Sequence, residues 1–281
     1  MQARVFLVPY DSGHLRKRMG AGPERMFEAG FIPLFKRLGV EYESEEVSTE
    51  NPHPAEISVA FELCRKVAQR VAECRTRGLF PIVLSGNCNT AVGTVSGCGP
   101  RETGVIWFDA HGEATTPETT VSGFLDGMPI STLLGRAWQG LAERIPGYIP
   151  IAGNRIVLFG ARALEDAERT LLKAEGVRQA ATVDQLTTQL PLMKEEVKQV
   201  YLHVDLDVLD PKVATANQWT PTDGIELESL LGGIAEVAKQ ARIAALGIAS
   251  YDPAIDKNGR ALAVAVSVAE IVLGNNKAGF R

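Results

Sequence analysis

The sequence predicts an α/β protein, a three-layer α/β/α sandwich around a mostly parallel central sheet. Two observations lead there. Short β-branched and aromatic runs alternate with longer helical patterns, the order that βαβ units produce. Most of these runs are also apolar along their whole length instead of at every second residue, as strands covered on both faces are. The strand runs are 4–8, 81–84, 105–108, 155–159, 200–204 and 243–248, and the helical candidates are 55–77, 165–175, 226–241 and 260–273. No Pro/Gly/Ser-rich linker, internal repeat or low-complexity tract divides the chain, so residues 1–281 read as one domain.

Composition narrows the function classes. The 281 residues are 45% hydrophobic and 22% charged, enough to bury a core without disulfides. A net charge of -5 argues against nucleic acid as a main partner, because phosphate binding needs clustered Lys and Arg. The run Arg16-Lys17-Arg18 reads as a solvated loop or helix start. The first ten residues lack the form of a secretory signal, and no apolar stretch is as long as a bilayer span, so no membrane partner is expected. Cys64, Cys74, Cys88 and Cys98 form no C-x-x-C pair. That suits a reducing, cytoplasmic setting, with Cys64 and Cys74 as core thiols of a helix.

In a parallel sheet the ligand site lies beyond the carboxyl ends of the strands. Four polar segments follow apolar runs as this requires: SGNCN (85–89), DAHGE (109–113), DLDVLD (205–210) and SYD (250–252). Alternate residues of an extended segment point the same way, so Asp109, His111 and Glu113 could converge, as could Asp205 and Asp207. Neighbouring carboxylates repel, and a bound cation supplies a reason for gathering them. A carboxylate-rich set with His suits Mn, Fe or Zn. Singly, each Asp is also what a turn or helix cap uses, and the case rests on the combination.

These motifs resemble those of the arginase, or ureohydrolase, family. DAHGEATTPETTVSGFLDGMPIS is similar, without a gap, to the stretch D-A-H-x-D-x-N-T-P-x-T-T-x-S-G-N-x-H-G-x-P. HVDLDVLDP resembles S-x-D-x-D-x-x-D-P. SGNCN stands where the family has G-G-D-H-S, and ASYDP where it has E-x-N-P. The likeness runs from about residue 81 to the C-terminus, and the N-terminal strand with GAGP fits more loosely. It implies the arginase-like fold, with a mostly parallel central sheet of about eight strands, and two Mn(2+) per chain bridged by a hydroxide that attacks a guanidinium carbon. Asp109 and Asp205 would bridge the metals, His111 and Asp207 would complete one site, and Glu113 and Cys88 the other. The family commonly forms trimers or hexamers, so a homo-oligomer is compatible with the resemblance.

Around the reacting centre the chain departs from the family pattern at four points. Glu113 replaces an Asp, and Cys88 replaces a ligand His. Cys88 is readable as a thiolate ligand that would favour Fe(2+) or Zn(2+), as a small buried thiol, or as a redox-sensitive residue. Asp126 stands where the family has a proton-shuttling His, a role that requires a carboxyl pKa raised toward neutrality. Ser250 stands where a Glu pairs with the guanidinium, and its loss removes a charge-assisted two-point contact. A fully cationic guanidinium should therefore bind poorly, and an N-hydroxyguanidine, an amidine or an amide derivative is favoured.

The far end of the pocket is partly kept. Ser122 matches a contact to the α-carboxylate, Thr115 stands in for an Asn, and Phe124 replaces a polar contact. Glu165 replaces an Asp near the α-amino group, and Thr220 matches a pocket Thr. These point to a small amino-acid-like substrate. His203, two residues before Asp205, reads as a satisfied core histidine or as support for the ligands. His14 reads as a loop residue or a substrate contact, and His53 as a loop residue without chemistry. The competing functions are a dinuclear hydrolase acting on C–N bonds, a single-metal hydrolase, and a non-catalytic regulatory or binding member of the same fold.

Overall fold

The computed structural model describes residues 2–50 and 55–278, so His53 lies outside the described residues. The strands are β1 (Gln2–Val8), a short antiparallel ribbon of β2 (Tyr10–Asp11) and β3 (His14–Leu15), β4 (Glu41–Glu46), β5 (Phe80–Ser85), β6 (Thr103–Phe108), β7 (Ile156–Phe159), β8 (Arg178–Ala180), β9 (Gln199–Asp205) and β10 (Ile243–Ala249). The helices are α1 (Gly22–Met26), α2 (Ile32–Leu38), α3 (Glu56–Arg77), α4 (Thr90–Cys98), α5 (Pro129–Leu133), α6 (Gln139–Ala142), α7 (Asp166–Ala174), α8 (Val183–Lys194), α9 (Leu227–Gln240) and α10 (Arg260–Ala278). Eight strands form one sheet in the order β4-β1-β5-β10-β9-β6-β7-β8, and every neighbouring pair is parallel.

The layers follow from strand alternation. On β5 and β9, Ile82, Leu84, Leu202 and Val204 face a core shared with α2, α9 and α10, whereas Val83 and Tyr201 face a second core built with α3 and α4. Two cores on opposite faces of one sheet make the three layers that the unbroken apolar runs predict.

The elements that the hydrophobic pattern does not reveal are those where it is weak. β4 reads EYESEE, and its glutamates reach Arg4, Arg70 and Arg77 at the sheet edge, where charge discourages a further strand from adding. β8 is three residues long at the other edge. Every residue of α4 is buried, so it has no polar face to give a helical period.

Candidate metal centre and active-site cleft

The four polar segments meet because of strand order. β5, β10, β9 and β6 are consecutive in the sheet, and their carboxyl ends lead to Cys88, Ser250, Asp205 and Asp109 respectively. Asp109 leaves β6 fully buried, its Oδ2 accepting from Trp107 Nε1 at 2.8 Å and its Oδ1 from the His111 N–H at 2.8 Å. Asp205 ends β9 with Oδ1 accepting the Asp207 N–H at 2.8 Å. Asp207 accepts from the Ala110 N–H at 3.4 Å and from Asn217 Nδ2 at 3.5 Å. Arg162 pins this loop by donating to the carbonyls of Asp207, Val208, Leu209 and Pro221. It therefore orders the ligand backbone without bonding a ligand carboxylate.

Among the described residues two ligand clusters form, and they share Asp109. One is Asp109, His111 and Asp207; the other is Cys88, Asp109 and Asp205. In each, one donor atom per residue lies within 4.8 Å of the others. His111 Nδ1 is 3.4 Å from both Asp109 and Asp207. Burial alone would lower its pKa, but hydrogen bonds to those two carboxylates outweigh burial and raise it to about 12. Two buried carboxylates beside the imidazole thus favour a cation at this cluster. Burial raises Asp205 and Glu113 well above the usual carboxylate range, with neighbouring acids adding to the effect. It also raises the Cys88 thiol, with Asp205 the largest charge contributor. The donor set fits divalent metal: four buried acids, an imidazole and a thiol, with Glu113 Oε2 buried and without a hydrogen-bond partner.

Glu113 itself lies outside both clusters. The expected extended run through 109–113 does not continue that far, because Glu113 adopts φ +52°, a left-handed turn that ends the alternation. Glu113 instead forms part of the wall of a cleft of about 490 Å³ above the clusters. His111, Thr115, Ser122, Phe124, Asp126, Glu165, Asp205, Asp207 and Ser250 share that wall, so most of the expected substrate contacts do face one space. Among the described residues no lysine or arginine lines the cleft, and seven acids do. Thr220 does not line the cleft, and its hydroxyl donates to the Asn217 carbonyl at 3.0 Å. The same tight loop turns Trp219 to the cleft instead, 6.1 Å from Phe124 between ring centroids. His14 is exposed on the ribbon and does not line the cleft.

Asp126 is held by Asn87 Nδ2 at 2.7 Å and by the Asn89 N–H at 2.9 Å. Burial outweighs these contacts and raises its pKa to about 7. Ser250 adopts φ +63°, a strained conformation for a residue with a Cβ, and Asn217 Nδ2 holds its carbonyl at 2.8 Å. The sequence reading missed Asn217, Trp219, Arg162 and Glu168. Glu168 alone had a local signal, an acid three residues after a helix cap: it accepts from the Glu165 N–H at 2.9 Å and from the Ala114 N–H at 3.0 Å, tying the Glu113 loop to α7.

Behind Cys88 lies a second set of polar groups. The thiol donates to Asp205 Oδ2 at 3.1 Å and lies 3.5 Å from Ser250 Oγ. His203 Nε2 is 3.2 Å from the same sulfur, and His203 Nδ1 is 2.7 Å from the Tyr201 hydroxyl. His203 is thus a buried histidine with both nitrogens partnered, and burial lowers its pKa to about 3, which keeps it neutral.

The sequence model of the arginase family matches residues 1–274. The chain belongs to the arginase family. It is 30% identical to the arginase of Bacillus caldovelox over 290 residues, covering 95% of this chain and 96% of that protein. It is 28% identical to arginase-1 of Homo sapiens, covering 89% and 84%. The crystal structure of arginase from Bacillus cereus superposes with a TM-score of 0.86 at 25% identity, covering 98% of this chain and 99% of that one. The formimidoylglutamase of Bacillus subtilis, at 18% identity and a TM-score of 0.78, shares the fold, covering 100% of this chain and 88% of that one. Among the described residues no helix is long and apolar enough to cross a membrane.

Proposed function

We propose that this member of the arginase family is a metal-dependent hydrolase that cleaves a C–N bond in a guanidino- or amidino-type amino-acid derivative, with an N-hydroxyguanidino or other non-arginine compound preferred. The observation that carries the reading is the pair of ligand clusters sharing Asp109 at the floor of an acidic cleft. Asp109, His111, Asp205 and Asp207 would hold one ion, for which Mn(2+) suits the oxygen and imidazole donors. Cys88, Asp109 and Asp205, with Glu113, would hold a second, where sulfur favours Fe(2+) or Zn(2+). When bound, such ions lower the pKa of coordinated water toward neutrality and polarise the carbon under attack.

The chain's own residues supply the rest. Glu113, with Oε2 free of other partners, can accept a hydrogen bond and orient a nucleophile at the cleft floor. Asp126, with a pKa of about 7, carries a proton on a substantial fraction of molecules at neutral pH and can release it from its carboxyl oxygen to the leaving amine. Ser250 provides a hydroxyl where a carboxylate would pair with a guanidinium, so a neutral or weakly basic group is accepted there with less loss. Ser122 and Glu165 offer polar contacts at the far end, and Phe124 with Trp219 an apolar flank.

The test is release of ornithine from arginine and from N-hydroxyarginine by protein reconstituted with Mn(2+), Fe(2+) or Zn(2+). Faster turnover of N-hydroxyarginine is expected. Arginine turned over at ordinary arginase rates would overturn the substrate preference. A single-metal enzyme is favoured by one observation, that three side chains already contact the Cys88 sulfur. Metal counting distinguishes one ion per chain from two.

A further inference from the structure

We infer that His203, fixed by Tyr201, is a positioning residue that donates its Nε2–H to the Cys88 sulfur and thereby lets a thiolate serve where an imidazole would otherwise bind metal. The inference rests on the reading of Cys88 as a ligand.

Tyr201 and His203 are two residues apart on β9, so both side chains leave the same face of the sheet. The His203 ring stacks on Trp107 with centroids 3.7 Å apart and planes 22° apart, which fixes its plane. Its Nδ1 faces the Tyr201 hydroxyl at 2.7 Å and its Nε2 faces the sulfur at 3.2 Å. All four groups are buried. The space for the phenol is built in: Gly247 of β10 lies opposite His203 in the register, and a Cβ there would sit 2.0 Å from the Tyr201 hydroxyl oxygen.

The ring's single N–H must lie on one nitrogen. A metal held by Cys88 would take the place of the thiol proton, which would leave to solvent with no electron moved. A bare Nε2 lone pair would then face a sulfur lone pair at 3.2 Å. The arrangement without that clash has the phenol donating to Nδ1 and Nε2–H donating to sulfur. The donor matters because the other groups around the sulfur are carboxyl groups and one serine hydroxyl, and in a low-dielectric site an N–H aimed at a thiolate is strongly favourable. A partner behind a metal ligand typically contributes ten- to a hundredfold in affinity, about what its removal costs.

The experiment is a Co(2+) titration of metal-stripped protein, following the thiolate-to-cobalt charge-transfer absorption, a readout independent of activity. Wild type should show the band and His203→Phe, which keeps a flat ring but no donor, should need about ten- to a hundredfold more cobalt to develop it. His203→Gln, which restores an N–H, should recover most of the affinity, and Cys88→Ser should lack the band. A His203→Phe titration equal to wild type overturns the inference and leaves His203 as packing. Should that variant fail to fold, Tyr201→Phe decides: weaker cobalt binding supports the inference and an unchanged titration overturns it. Wild type that binds cobalt without the band removes Cys88 as a ligand and the inference with it, while the hydrolase reading stands on the other cluster. Wild type that binds no cobalt overturns both.

Discussion

On one side of Asp109 stand His111 and Asp207; on the other stand Cys88 and Asp205. The first group is ordered by backbone, through the His111 and Ala110 N–H groups and a loop that Arg162 holds by its carbonyls. In the second, backbone aims Asp205 through the Asp207 N–H, whereas Cys88 is surrounded by side chains, with Asp205 and Ser250 beside the sulfur and His203 behind it. The first offers oxygen and nitrogen in a cluster that already attracts a proton, and the second offers a neutral thiol among buried acids. The difference teaches where a metal centre tolerates change. A ligand that the loop backbone aims is hard to replace without moving the loop, whereas a ligand backed by side chains can be exchanged if its support changes with it.

The strongest way to break the comparison is to remove what the two groups share. Asp109→Asn should reduce affinity for divalent metal more than about a hundredfold at both clusters, exceeding the usual effect of an outer partner. Calorimetric titration with Mn(2+) checks this, and loss at only one cluster would show that Asp109 is not shared. Next, Asp126→Asn should lower kcat by about 10²–10⁴ while leaving metal content intact, the range for a lost general acid. Burial raises Asp126 to about 7, so the wild-type rate that depends on its proton should fall as pH rises through that value, and the variant should lack this fall. The sign for stability is the same. With the folded value above the unfolded 3.8, the stabilising contribution is complete below 3.8 and is lost as pH rises through about 7. Denaturant titrations across that window should show a flatter profile for the variant.

Ser250→Glu probes the sulfur side. A restored carboxylate would provide a charge-assisted contact, of about 1.5–3 kcal/mol, to a guanidinium. The ratio of kcat/KM for arginine over N-hydroxyarginine should rise by roughly ten- to a hundredfold. An unchanged ratio would mean that position 250 does not select substrate. The smallest effect is expected from Gly247→Ala, which overpacks against the Tyr201 hydroxyl. It should cost about 1–3 kcal/mol in unfolding free energy by denaturant titration. A neutral result would mean that the phenol has room to move and does not hold His203.

Much of the fold and part of the site were legible from local pattern. Apolar runs bounded by polar residues located the central strands, and Asp109, His111, Asp205 and Asp207 followed from what a strand end presents. Glu113 was expected to converge with Asp109 and His111 but lines the cleft outside both clusters, since a left-handed residue interrupts the alternation and an L-residue gives no warning of it. Thr220 does not line the cleft as expected and its neighbour Trp219 does, because the side chain facing the cleft depends on a turn that Asn217 closes. β4 and α4 were missed because a charged edge strand and a fully buried helix lack the two-sided contrast that periodicity measures.

The sequence by itself determined which residue types stand at the strand ends, since alternation and burial on both faces are local consequences of side-chain chemistry. Only the tertiary structure decided which of those ends are neighbours. β10, last of the strands in the chain, inserts between β5 and β9 and so brings Ser250 beside Cys88 and Asp205. The same insertion sets Gly247 against Tyr201, and the meeting of β9 with the loop after β5 aims His203 at a sulfur 115 positions away. Contacts at that separation arise from strand order and register, which residue pattern along one strand does not encode.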